Sequence, residues 1–243
     1  MTTQENPKAL SERIAVITGA SRGIGRALAL CFAEAGCDLA LCARRPDCRL
    51  GDEITARHGV KVLVSQCDVR HDSSVHEFFE AIKLRFGRID ILINNAGTAG
   101  PSAAVAELPL AAWQNVLDTN LTGMFLCTQA ALPLIARGGV IVNNLSVAAK
   151  TSFAGEAAYV AAKHGAQGFT DTLRLEVRER GIRVIGLYPG PTDTDIWNQL
   201  WPAAPRERMI SPDTVARAVL QAVLLPENAV VEQLVIAPTA GQF

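Results

Sequence analysis

Tyr159 and Lys163 stand four residues apart in the stretch YVAAK. On a helix that spacing puts both side chains on one face. A free phenol has a pKa of about 10, which makes it a reluctant proton shuttle at neutral pH. A nearby ammonium stabilises the phenolate and lowers that value; bringing it close to 7 takes about 4 kcal/mol, at roughly 1.36 kcal/mol per unit. Such a pair could move a proton at a carbonyl or alcohol oxygen. It could also be a surface pair worth roughly a few tenths of a kcal/mol. What the rest of the chain assembles around it distinguishes the two.

A second chemical feature is TGASRGIG, residues 18–25. It lies between an apolar run and a segment of helical spacing. Gly19 can turn the chain, and Gly23 and Gly25 let the helix start approach a ligand and the sheet. The free N–H groups of that helix end then face an anion, such as a pyrophosphate. The spacing is G-x-x-x-G-x-G rather than the commoner G-x-G-x-x-G, and tight turns alone would also explain it. The next apolar run ends LCARR. Ala43 offers no carboxylate to ribose hydroxyls, whereas Arg44 can fork onto a 2′-phosphate, with Arg22 able to approach the same group. That pattern favours NADP(H) over NAD(H). Arg45 reads as a solvated charge, and Asp47 lies beyond the expected strand end.

These residues need a frame. RIAVITG, DLALCA, VKVLVSQC, IDILINNAG, GGVIVNNLS, GIRVIGLYPG and VVEQLVIA read as short apolar strands. Helical spacing falls between most of them: residues 24–35, with Ile24, Leu28, Cys31 and Ala35 on one face and Gly36 as stop, then Val75 to Phe86, then 110–136, 157–180 and 212–225. Continuous apolar strands separated by helices predict an α/β fold: one Rossmann-type doubly wound parallel sheet of about seven strands with helices on both faces. Residues 1–10 read as a loosely attached tail and 11–243 as one dinucleotide-binding and catalytic domain.

Composition narrows the function. Lys and Arg number 23 against 24 Asp and Glu, which leaves no nucleic-acid footprint over the whole domain. The six cysteines form no C-x-x-C pair and read as small buried hydrophobes, so no metal is expected. The polar start lacks a signal-peptide core, and the longest uncharged stretch, 119–136, is broken by Asn120, Gly123 and Pro133. A soluble cytoplasmic protein without a membrane partner is the expectation.

With these features in place the chain resembles the short-chain dehydrogenase/reductase family, 3-oxoacyl-carrier-protein reductase-like members included, over residues 13–237. TGASRGIG matches the family's TGxxxGxG turn, which brings Ser21 and Ile24 into the cofactor site. CDV matches the segment whose acidic residue contacts adenine, here Asp68, followed by Val69. NNAG places Asn95, Ala96 and Gly97 beside the cofactor. YPGPTDT, with Pro189, Gly190, Thr192 and Thr194, is similar to the segment bordering the nicotinamide. Asn120, Ser146, Tyr159 and Lys163 match the catalytic tetrad. The resemblance implies that Tyr159 is the general acid, that Ser146 donates to the same substrate oxygen, that Lys163 also binds the nicotinamide ribose, and that Asn120 holds a relay water. Departures are Leu145 before the serine, Thr192 in place of an aliphatic residue, and the ending APTAGQF.

The implied activity is NADP(H)-dependent hydride transfer between nicotinamide and a ketone or secondary alcohol, by a homo-oligomer (dimer or tetramer). A non-catalytic cofactor-binding regulatory protein on the same fold and an NAD-dependent alcohol dehydrogenase are the alternatives. Residues 193–211, with Trp197 and Trp201, are expected to cover the substrate, or to pack inward. Residues 98–102 and 148–156 are expected to form small-residue walls, with Lys150 as the one charge that meets an acidic substrate. An acyl carrier protein would land on Arg137, Arg178 and Arg180. His58, His71, His76 and His164 read as bystanders.

Overall fold

A computed structural model describes residues 8–241. Seven strands are present among them: β1 (Ile14–Thr18), β2 (Asp38–Ala43), β3 (Val62–Gln66), β4 (Ile89–Asn94), β5 (Ile135–Asn144), β6 (Arg183–Pro189) and β7 (Gln233–Ile236). All pair in parallel, in the order β3-β2-β1-β4-β5-β6-β7. The helices are α1 (Gly23–Glu34), α2 (Cys48–His58), α3 (Asp72–Phe86), α4 (Leu110–Leu117), α5 (Gly123–Ala131), α6 (Ala157–Val177), α7 (Trp197–Leu200) and α8 (Pro212–Val223).

The period of two along each strand sorts the core into two faces. Ala15, Ile17, Ile91, Ile93, Val140 and Val142 pack against α1, α2 and α8. Val16, Leu92 and Ile141 pack against α3, α5 and α6. Strands covered on both faces have no room for alternating polar residues, which is why they read as unbroken apolar runs. From β1 the chain builds outward to β3, then returns to place β4 on the other side of β1. The connections leave β1 and β4 in opposite directions, and a crevice opens beyond their carboxyl ends.

The sequence pattern and the structure differ in four places. The expected helix over 110–136 is instead α4, a wide π turn at Asp118–Thr122, α5, a 3₁₀ turn at Leu132–Leu134 and the first residues of β5. Pro133 cannot donate to a helical ladder, and Ile135 pairs with Ile89 in the sheet. Helix α2 escaped the reading because it buries only Leu50, Gly51 and Ile54. Asp47 is its N-cap, accepting from the Arg49 N–H at 3.1 Å. Helix α6 stops at Val177, where Gly181 at φ +68° closes the turn into β6. Of the expected tail, residues 1–7 lie outside the described residues; Leu10 is buried in the core and donates to the Ala35 carbonyl at 2.9 Å.

A row of buried amides and hydroxyls crosses the sheet. Asn94 Nδ2 donates to Thr128 Oγ1 and Asn143 Oδ1, both at 2.9 Å, and Asn143 Nδ2 donates to Thr170 Oγ1 at 2.9 Å. It joins α5, β4, β5 and α6. An unpartnered buried polar group costs about 1–3 kcal/mol. Asn143→Ala is therefore expected to lower unfolding stability by about 1–3 kcal/mol, read as a reduced urea midpoint at unchanged m-value.

Candidate active site

One cleft of about 910 Å³ opens at the carboxyl ends of β1, β4, β5 and β6. Every residue the sequence assigns to cofactor or catalysis lines it, from Gly19 and Arg44 at one end to Ser146, Tyr159 and Thr194 at the other.

The glycine turn is shaped by what it excludes. A Cβ on Gly19, at φ +67°, would come within 2.8 Å of the Ala96 Cα, and one on Gly25 would meet the Gly19 carbonyl oxygen at 2.2 Å. Only the absence of side chains lets β1, α1 and the 95–97 segment close together. Asn95 fastens the same corner: its Nδ2 donates to the Thr18 carbonyl at 3.0 Å, and its own N–H donates to Thr18 Oγ1 at 3.0 Å. No side chain caps the start of α1, so its first N–H groups are available to an anion. Arg44 and Arg45 are exposed on the cleft rim, and no carboxylate pairs with either among the described residues. Arg22 lies 3.5 Å from Asp195 across the opening. A bare helix start beside two unpaired guanidinium groups fits a phosphate-bearing dinucleotide. Farther along, the carboxylate of Asp68 is held by Arg70, which drops its pKa to about 2; Arg70 in turn donates to Asn115 at 2.7 Å. Arg70 is a positioning residue that sequence reasoning missed, visible only as a charge two residues away.

At the other end, Ser146 has φ +81° and ψ 157°, a backbone region nearly restricted to glycine. Leu145 and Ser146 both donate to the Leu187 carbonyl, at 2.8 and 3.3 Å, and this clamp on β6 sustains the strain. The serine hydroxyl accepts from the Ala148 N–H at 3.2 Å and lies near enough to Tyr159 to pull the phenol's pKa downward.

Lys163 is buried, 5% exposed, and its Nζ donates to the Asn144 carbonyl at 2.7 Å. It also lies 5.6 Å from the centre of the Tyr159 ring. The helical spacing does bring phenol and ammonium to one face. Their electrostatics differ from expectation, however. Burial pushes the Tyr159 hydroxyl above its ordinary value, although the neighbouring Ser146 hydroxyl pulls the other way, and the Glu156 charge adds to the rise. Burial also lowers Lys163 from 10.5 to about 8. The dry cleft disfavours both charges, so the free site keeps its phenol protonated.

Asn120 sits in the π turn, buried, with both amide hydrogens committed: Nδ2 donates to the Thr98 carbonyl at 2.7 Å and to the Val116 carbonyl at 2.8 Å. The second bond satisfies an acceptor that the widened turn leaves behind. Its Oδ1 faces the space next to Gly97, which Lys163 Nζ also borders.

The covering segment is stapled. Thr192 and Ile210 bridge its ends, and Arg206 donates to Asp193 at 2.9 Å, to the Thr194 carbonyl at 2.7 Å and to Asn198 at 2.9 Å. Trp197 Nε1 donates to the Thr192 carbonyl at 2.9 Å, and both Trp197 and Trp201 line the cleft. Thr98 Oγ1 reaches Gln199 across the opening at 3.3 Å.

Three expectations are corrected here. Lys150 does not meet the cleft: its Nζ donates to Gln233 at 2.6 Å and lies over the Tyr188 ring at 4.3 Å, because the 3₁₀ turn after Ser146 aims it at β7. The charged side chain on that wall is Glu156. Arg137, Arg178 and Arg180 sit near the amino end of β5 and past the end of α6, at the end of the strands opposite the cleft mouth, so within this chain they form no landing patch beside it. Cys48 is exposed, whereas Cys37, Cys42, Cys67 and Cys127 are buried. His164 turns its Nδ1 to the Val160 carbonyl at 3.0 Å, off the catalytic face. Among the described residues no group of three or more His, Cys, Asp or Glu could hold a metal, and no helix is long and apolar enough to cross a membrane.

The sequence profile of the short chain dehydrogenase family matches residues 13–205. A 3-oxoacyl-[acyl-carrier-protein] reductase of Synechocystis sp. is 37% identical over 79% of this chain and 79% of its own length. A sepiapterin reductase of Chlorobaculum tepidum is 34% identical over 96% of this chain and 98% of its own. Among solved structures, an alcohol dehydrogenase from Thermococcus sibiricus complexed with 5-hydroxy-NADP superposes with a TM-score of 0.88 at 31% identity, covering 95% of this chain and 98% of that one. A metagenomic short-chain oxidoreductase in complex with NADP gives 0.83 at 30% identity, covering 95% and 99%.

The buried ammonium carries a stability consequence. The unfolded chain keeps the Lys163 proton up to 10.5, whereas the folded chain releases it near 8. The folded state is therefore penalised fully below about pH 8, and the penalty is gone above about pH 10.5. Replacing Lys163 by Met should make the cofactor-free protein more stable at neutral pH, by up to about 3 kcal/mol at 1.36 kcal/mol per unit. That advantage should vanish near pH 10.5. Guanidinium unfolding of both proteins at the two pH values measures it.

Proposed function

The chain belongs to the short-chain dehydrogenase/reductase family, and from that premise we propose that it is an NADP(H)-dependent reductase of ketones, reversible toward secondary alcohols. The single observation that carries this reading is the convergence of Ser146, Tyr159 and Lys163 beside an uncapped helix start with an unpaired arginine, in one cleft. When bound, the nicotinamide supplies the hydride to a carbonyl carbon, or takes it back from the alcohol.

The chain's own residues handle the proton. Tyr159, kept protonated by burial, donates its hydrogen to the carbonyl oxygen as negative charge develops there. Ser146 donates a second hydrogen bond to that oxygen, and its strained backbone holds the hydroxyl in place beforehand. Lys163 is poised by its lowered pKa to return a proton to the phenolate. A water next to Asn120 Oδ1 and Gly97 would refill the lysine from solvent. Lys163 would also hold the nicotinamide ribose, and the first N–H groups of α1 the pyrophosphate. Thr192 fits a structural place better than a cofactor contact: its hydroxyl donates to the Gly190 carbonyl at 2.9 Å.

Arg44 supports NADP(H) over NAD(H), since it is exposed on the rim without a competing carboxylate. A homo-oligomer, dimer or tetramer, is supported by apolar groups left bare on α5 and α6. Phe125 is 43% exposed and stacks edge-on against Phe169, and Leu175 is 66% exposed.

Two measurements test the reading. Across a panel of ketones, NADPH oxidation should fall about 10²- to 10⁴-fold in Tyr159→Phe, the usual contribution of a positioned acid. Unchanged turnover in that variant would remove the acid assigned here, and no turnover by the parent on any ketone would favour a non-catalytic binding role. Arg44→Asp should weaken NADPH binding by about 1.5–3 kcal/mol while leaving NADH nearly unaffected. Equal affinity of the parent for the two coenzymes in a fluorescence titration would sink the NADP preference.

A further inference from the structure

The carboxylate of Glu156 is the charge in the cleft that the proposed chemistry does not use. It lines the cleft from the position just before α6, three residues ahead of Tyr159. It is close enough to Tyr159 to push the phenol's pKa upward. The nearby Ser102 hydroxyl offsets part of the burial. Its Oε2 is buried and has no hydrogen-bond partner among the described residues. A buried carboxylate oxygen without a donor is costly, and burial raises its pKa.

The basic side chains that line the cleft do not answer it. Arg22, Arg44 and Arg45 belong to the glycine-turn end, and Lys163 donates to the Asn144 carbonyl and serves the ribose and the phenol in the chemistry proposed above. Lys150, on the same wall, faces Gln233 instead. The other acidic group on the substrate side, Asp195, already has Arg22 at 3.5 Å. Phe153, Trp197 and Trp201 line the cleft around this end. Aromatic faces accept an organic cation and its hydrocarbon frame.

We infer that Glu156 selects the substrate: the cleft takes a ketone, or the matching secondary alcohol, that carries a protonated amine a few bonds from the reacting carbon. The ammonium donates to Glu156 Oε2 while the carbonyl oxygen lies against Tyr159 and Ser146. The apolar carbons between them rest on the tryptophan cover. This deepens the reductase reading and rests on it for the orientation of the carbonyl.

The probe is a pair of ring ketones of matched shape, N-methyl-4-piperidone, cationic near neutral pH, and neutral 4-methylcyclohexanone. Each is assayed with NADPH on the parent and on Glu156→Gln. A charge-assisted hydrogen bond of about 1.5–3 kcal/mol corresponds to roughly 10- to 150-fold. The parent should prefer the amino ketone in kcat/KM by at least about tenfold, and Glu156→Gln should abolish that preference while changing the neutral ketone by less than about threefold. The same pair is titrated by tryptophan fluorescence with NADP⁺ bound, which reads selection without turnover. Cation-selective binding that Glu156→Gln removes, with no turnover of either ketone, would uphold the carboxylate's role and overturn the reductase reading. Equal binding of both ketones, or a preference that survives Glu156→Gln, would overturn the inference whatever the turnover.

Discussion

The active face of α6 is set by a line of buried polar bonds rather than by hydrophobic packing alone. Apolar contacts between α6 and the sheet are non-directional, and sliding or rotation of the helix would cost them little. The amide of Asn143, held between Asn94 on β4 and Thr170 on α6, permits one register only. Lys163, one residue row closer to the cleft, repeats the device by donating to the Asn144 carbonyl. Two successive residues of β5 thus fix two turns of one helix, and the strand's next residues carry the chain to Ser146. Phenol, hydroxyl and ammonium are placed by a single strand end. Neutral networks of this kind specify geometry because any shift leaves a buried donor or acceptor without a partner.

The same dryness sets the charge states. Both Tyr159 and Lys163 are pushed toward neutrality by burial. A helix-spaced ammonium would lower a phenol in water-accessible surroundings, and the sequence suggests that sign. In the folded cleft the loss of water outweighs the cation 5.6 Å from the ring. A cofactor bringing its own charge and hydroxyls would change that balance, so the groups are tuned as a set with their ligand rather than beforehand. Charge along the cleft is also ordered: arginines line the end built by β1, β2 and α1, and a carboxylate lines the end under the tryptophans. An anion and a cation would each find one end favourable and the other hostile.

Much of this was legible in the residues. Strands buried on both faces announce themselves as unbroken apolar runs, and all seven are present with their boundaries shifted by a few residues. The glycine turn was legible because steric exclusion at Gly19 and Gly25 acts over a short span of chain. Pattern failed where a local element answers to distant groups. Helix α2 has too narrow an apolar stripe to show a period, and the break in 110–136 depends on an Asn120 amide reaching back to Val116. Asn94 and Asn143 are separated by 49 residues, and nothing in either stretch advertises the other. The strain at Ser146 has no signature at all, since the residue is not glycine. Lys150 was weighed by residue type alone, and Glu156 was passed over within the 148–156 wall. The direction of Lys150, which leaves Glu156 as the charge of that wall, follows from a three-residue turn that pattern does not resolve.

This division also separates what the scaffold shares from what it varies. Ser146 is held by the backbone clamp on the Leu187 carbonyl of β6, and Lys163 by its bond to the Asn144 carbonyl of β5. The walls hang on the 148–156 segment and on the stapled stretch from Thr192 to Ile210, tied mainly by Arg206 and by one strand-like bridge. Those ties are partly exposed and cross only short spans, so their residues are exchangeable at small cost to folding. A carboxylate at the start of α6 is the exception, because it borrows a rigid element: Glu156 inherits the position of the helix that holds Tyr159, and a group bound to it is placed relative to the proton donor by the helix itself. A substrate charge caught there is oriented as firmly as the chemistry it meets.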